Sequence, residues 1–294
     1  MRHDRIKYFK IEAPDPDFSE CFACPEGQKL VMDLFVPEKG RHNGAAVILI
    51  HGGGWNGGER HGFWWHAHRL SLHGYVAGTV DYRLSSIAPF PAAVNDCQAA
   101  VRWLRHNADR FNIQRDRIGA IGSSAGGHLA ACLGVFEEME NTISARVNCV
   151  VDVHGVHDFI SAVGNSNEVK EHWEAFIGGP FSEKRDLWLA ASPALHVDSS
   201  SAPMLLVHDP KDETVPYEQS LILANALIKA GRPMQFLPSP GSAHGFVYNP
   251  QNSWTQQVWP VALAWLDHYL LKKTSGELSK EVPADSFIPE VNLP

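Results

Sequence analysis

The chain has 294 residues, 44% of them hydrophobic and 20% charged, so it can bury a large core without disulfides or metal and is neither disordered nor of low complexity. Its formal net charge of −8 disfavours a phosphate-backbone partner, so nucleic acid is not expected. No stretch reaches the roughly 18 apolar residues of a membrane span, and no membrane partner is expected either.

Other global features exclude further classes. The five cysteines are an odd count, and Cys97, Cys132 and Cys149 sit in apolar stretches, so no disulfide framework is implied. Cys21 and Cys24 spell C-x-x-C, but no second pair or nearby histidine completes a zinc site, so no metal and no cofactor is expected. The opening MRHDRIKYFK carries charge without the apolar region of a leader, and the chain reads as cytoplasmic. The sequence is compatible with a homo-oligomer.

In chain order, the alternating run from Lys29 to Val36 suits an antiparallel edge strand. Ala45 to Ile50 is wholly apolar and stops at a run of glycines, the pattern of a strand buried on both faces. Tyr75 to Val80 is a second such run. After Phe90-Pro91, the stripe Val94, Cys97, Val101, Leu104 predicts a helix. Ile118 to Ile121 predicts a strand that runs into a glycine-rich turn, followed by a helix over His128 to Phe136. Val147 to Val153 and Met204 to Val207 are further strands. Tyr217 to Ala230 has helical spacing, with Gly231 as its stop. Gln235 to Leu237 is the last strand candidate and Trp254 to Leu271 the last helix. Strands alternating with helices predict an α/β class with a mostly parallel central sheet and helices on both faces. The rhythm covers one domain over residues 1–272. Residues 155–202, rich in aromatics, form a lid-like insertion, and residues 273–294 a polar tail.

In such sheets, ligands bind beyond the carboxyl ends of the strands, so the turns there carry the chemistry. Gly122-Ser123-Ser124-Ala125-Gly126 fits G-x-S-x-G between strand and helix, where flanking glycines let backbones pass and lift the Ser124 hydroxyl above the sheet. By composition alone this motif arises with odds of about one in seven. His51-Gly52-Gly53-Gly54-Trp55 is rarer, about one in a hundred, and its N–H groups can converge on an oxyanion. A serine hydroxyl needs a base, usually a histidine held by a carboxylate. Of the sixteen histidines, His61, His66 and His68 lie in a surface-like aromatic and basic stretch and His106 on a polar helix face. His244, in a turn after the last strand, can reach over the serine. Asp209, Asp212 and Glu213 follow an earlier strand. Ser124, Asp212 and His244 give the order Ser…Asp…His.

These motifs resemble the α/β-hydrolases of the bacterial HGGGW carboxylesterase group, which includes hormone-sensitive-lipase-like, feruloyl and acetylxylan esterases and HGGxW formamidases. The resemblance extends through Asp81-Tyr82-Arg83-Leu84, Pro89-Phe90-Pro91-Ala92-Ala93 with Asp96, Gly127, Ala191-Ser192-Pro193, Asp212-Glu213-Thr214-Val215-Pro216 and His244-Gly245-Phe246. It implies an α/β-hydrolase fold with Ser124 as nucleophile, His244 as base and then acid, and Asp212 as its orienting carboxylate. The implied oxyanion donors are the N–H groups of Gly53, Gly54 and Ala125. One departure is Asp209 after His208, where relatives carry glycine; it leaves Asp209 as an alternative partner for His244. The expected activity is hydrolysis of short-chain acyl esters, with acetylated or feruloylated carbohydrate as a candidate substrate and Trp55 and Trp173 as pocket candidates. The alternatives are a formamidase acting on an N-formylkynurenine-like amide, and a non-catalytic binding protein. No Lys-bearing phosphate loop supports nucleotide binding.

Overall fold

The computed structural model of the chain describes residues 13–137, 143–161 and 167–273. Eight strands form one sheet: β1 (Phe18–Ala23), β2 (Leu30–Phe35), β3 (Ala46–Ile50), β4 (Val76–Val80), β5 (Ile118–Ser123), β6 (Cys149–Val153), β7 (Met204–His208) and β8 (Met234–Pro238). Their order across the sheet is β1-β2-β4-β3-β5-β6-β7-β8. β1 and β2 are antiparallel to their neighbours, and the rest pair in parallel. β2 is thus antiparallel as expected but second from the edge. The outermost strand is β1, whose alternation is broken by a register shift between Cys21 and Ala23.

The strands from β3 to β7 are buried on both faces because helices cover both. Side chains alternate across the pleat. Ala46, Ile48 and Ile50 join one core, with Val101 and Leu104 of α2 (Ala92–His106), Leu129 and Cys132 of α3 (Ala125–Val135), and Leu223 and Leu227 of α6 (Glu218–Lys229). Val47 and Leu49 join the other, with Ala67 and Leu70 of α1 (Trp64–Leu72) and Val258, Leu266 and Leu270 of α7 (Ser253–Leu271).

α1 departs from expectation. His66, read as surface, is buried, with Nε2 2.7 Å from the Val247 carbonyl. Residues 155–202 supply α4 (Asn167–Ile177) and α5 (Phe181–Ala190), whose Phe176, Ile177 and Trp188 lie in the α2/α3/α6 core. The tail beyond Lys273 lies outside the described residues. Cys97, Cys132 and Cys149 are buried free thiols, and Cys21 and Cys24 are exposed.

Because β3, β5, β6, β7 and β8 are consecutive across the sheet, the turns that leave their carboxyl ends meet at one rim. This adjacency brings together residues that are up to 193 positions apart, from His51 to His244.

Candidate active site

Ser124 stands at the turn from β5 into α3 with φ 57° and ψ −121°, a strained conformation for a residue with a side chain. The turn closes only because its flanks are glycine. A Cβ on Gly122 would strike the Gly126 carbonyl, and one on Gly126 the Ile50 carbonyl. The backbone is pinned by Ser124 N–H donating to Val153 O (2.9 Å) and His128 N–H donating to Ser124 O (3.0 Å). Ala125 opens α3, where first-turn N–H groups have no partner within the helix.

The Ser124 hydroxyl lies 3.0 Å from His244 Nε2, and His244 Nδ1 lies 2.7 Å from Asp212 Oδ2. Burial pushes the Asp212 carboxyl up, but hydrogen bonds from His208, His244 and the Val215 N–H outweigh it and hold the group well below the usual carboxylate range. An ionised carboxylate only accepts, so His244 carries its proton on Nδ1. Nε2 is left bare to accept from Ser124. The His244 side chain is 18% exposed and that of Asp212 is sealed.

Asp212, not Asp209, therefore partners His244. Asp209 accepts from the N–H groups of Lys211 (2.9 Å) and Ala243 (3.1 Å), tying the turn that carries His244 back to the end of β7. Burial opposes its ionisation, and those backbone bonds hold its carboxyl low.

The glycine loop after β3 lies against the serine turn: a Cβ on Gly52 would sit 3.1 Å from the Ser124 Cβ. Gly53 has φ 120°, and a Cβ there would strike the Gly57 carbonyl. Gly54 is bordered by His172 of α4, whose ring carbon would be 3.3 Å from a Cβ at that position. Sequence reasoning missed Tyr248, in the turn after His244. Its hydroxyl accepts from Gly52 N–H at 2.6 Å, so the histidine turn holds the glycine loop in place.

Trp55 and Trp173 are corrected by the structure. They are 2% and 4% exposed and lie in the core rather than on an open pocket wall. The reason for Trp55 is local: a φ of 57° turns it inward, where it stacks on Phe176 of α4 at 4.3 Å and donates from Nε1 to His128 Nδ1 at 3.2 Å. Trp173 packs edge-on against Phe159 at 5.1 Å. The glycine loop and α4 are thus joined through Trp55.

His154, Asp212 and His244 place nitrogen and oxygen atoms within 4.8 Å of one another. The two imidazoles, however, face each other with centroids 4.2 Å apart. Both His244 nitrogens are engaged within the triad and the His154 Nε2 lies 2.9 Å from Ser123 Oγ, so these rings are committed to hydrogen bonds.

The fold and this rim define an α/β-hydrolase with a Ser-His-Asp constellation. The sequence profile of the BD-FAE family matches residues 32–227, and the chain belongs to that family. Esterase LipC of Mycobacterium tuberculosis is 29% identical over 68% of this chain and 52% of its own length; the chain spans about half the length of that relative. Esterase 2 of Thermogutta terrifontis superposes with a TM-score of 0.76 at 28% identity, covering 90% of this chain and 96% of that one, and it has also been solved with propionate and with butyrate bound. A truncated carbohydrate esterase from gut microbiota superposes at 0.69 with 25% identity, over 82% and 90% of the two chains. Among the described residues no helix is long and apolar enough to cross a membrane.

Proposed function

We propose that the chain is a serine carboxylesterase for short acyl esters. The observation that carries this is the unbroken line from Ser124 Oγ through His244 to Asp212, at 3.0 and 2.7 Å, beside a glycine loop. Ser124 attacks the ester carbonyl while His244 Nε2 takes its proton, and Asp212 supports the imidazolium that forms. The N–H groups of Gly53, Gly54 and Ala125 hold the oxyanion; removing one such donor costs on the order of 10² to 10³ in rate. His244 then protonates the departing alcohol, and water releases the acyl group from Ser124 by the reverse path.

Two features support a short acyl group. His172 of α4 borders Gly54 and narrows that side of the loop, and the Thermogutta esterase holds propionate and butyrate. The gut carbohydrate esterase supports a carbohydrate as the alcohol side of the ester. No feature of the site favours a formyl amide. The test is a panel of acetyl, butyryl and octanoyl 4-nitrophenyl esters beside methyl ferulate and acetylated xylan, run on wild type and Ser124→Ala. Acetyl or butyryl is expected to lead; a preference for octanoyl contradicts the short-acyl reading.

A further inference from the structure

One buried imidazole beside the triad takes no part in the proton path. His154 follows β6, is fully buried, and holds a φ of 44°, uncommon for a residue with a side chain. Its ring lies 4.2 Å from that of His244, tilted by 36°. Its Nε2 is 2.9 Å from Ser123 Oγ and accepts from Gly245 N–H at 3.4 Å. A backbone N–H only donates, so Nε2 is bare and the ring proton is on Nδ1, which has no hydrogen-bond partner among the described residues.

The two groups His154 bonds are the chain neighbours of the reacting pair. Ser123 precedes the nucleophile and Gly245 follows the base. A single ring thus ties the serine turn to the histidine turn while its face lies against His244. A phenyl ring in this place would carry no unmet Nδ1–H of its own but would leave Ser123 Oγ and Gly245 N–H without this acceptor, so a polar ring with an unmet N–H marks a position kept for its bonds. Burial, reinforced by the nearby His244 and His208, keeps it neutral.

We infer that His154 is a positioning residue for ester hydrolysis, a neutral plate that fixes the distance and tilt of His244 toward Ser124 through Ser123 and Gly245. The inference rests on the esterase reading above. Being uncharged, His154 faces the imidazolium of His244 without repelling it. The other groups facing His244 are Asp212 and Ser124, and those facing His154 are Ser123, Asp212 with an oxygen within 4.8 Å, and, between ring centroids, His208 at 6.1 Å and Phe246 at 5.7 Å.

The test compares wild type, His154→Phe and His154→Gln in the full chain on 4-nitrophenyl acetate, with active sites counted by a fluorophosphonate label. His154→Phe keeps a ring and loses the acceptor, and kcat per labelled site is expected to fall by about tenfold to a hundredfold with KM within about twofold. His154→Gln restores an acceptor and should recover part of kcat. Equal kcat per site in wild type and His154→Phe, whatever the loss in melting temperature, would overturn the role. Imidazole nitrogen NMR on wild type needs no variant: an unprotonated Nε2 from about pH 6 to 8 supports it, and a proton there overturns it. A wild type that labels but turns over no ester overturns the esterase reading, and this role with it.

Discussion

His244 and His128 carry the same side chain near the Ser124 turn, and their surroundings separate the proposed base from a pillar. His128 is fully buried in α3. Its Nδ1 accepts from Trp55 and its Nε2 lies 2.8 Å from the Ala191 carbonyl, so both nitrogens are held by groups that cannot pass a proton on. Burial pushes its pKa down to about 3. His244 is partly open, with an ionised carboxylate behind one nitrogen and a hydroxyl before the other. Its role follows from what its two nitrogens meet and from access to solvent. Burial alone does not mark a functional histidine here; the most deeply perturbed imidazoles are structural or positioning ones.

The largest expected effect breaks the open side of this comparison. Ser124→Ala or His244→Gln should lower kcat/KM for 4-nitrophenyl acetate by about 10³-fold or more while leaving the melting temperature near wild type. Asp212→Asn should cost about 10² to 10⁴ in kcat, because an amide can present its N–H to His244 and reverse the tautomer; Asp209→Asn should cost less, since its bonds hold only the turn backbone.

The sealed side breaks differently. His128→Leu leaves the Trp55 N–H without an acceptor and should lower stability by about 2 kcal/mol, read by urea unfolding, while fluorophosphonate-counted sites retain most of their turnover. The last effect is a slope. Burial holds His51 and His66 down to about 4 from an ordinary 6.5, and His128 lower still. Below pH 6.5 the unfolded chain binds protons that the folded chain refuses. Stability is therefore full above that value and is lost as pH falls toward 4, each histidine adding up to about 1.4 kcal/mol per pH unit. His66→Gln should flatten this slope in unfolding measured between those values.

Much of this was legible in the sequence because strained backbone demands particular residues. Gly122 and Gly126 could be placed at the serine turn since no side chain fits there, and continuous apolar runs marked β3 to β7 because helices cover both faces. The fate of single histidines and tryptophans was not legible. Trp55 turns inward on one backbone angle, and His66 is buried only because α7 and the Val247 turn return over α1. Tyr248 and His154 act through backbone N–H groups of distant glycines, a pairing that leaves no local pattern. A clue to His154 was present in its place just after a strand, at the rim where the other site residues stand.

The most direct test of the central claim is peptide mapping of the protein quenched in acid during turnover of 4-nitrophenyl acetate. An acetyl group on the peptide bearing Ser124, absent from Ser124→Ala together with activity, is the predicted result. Turnover that persists in Ser124→Ala, or an acetyl group that maps to another residue and disappears with activity, would contradict it.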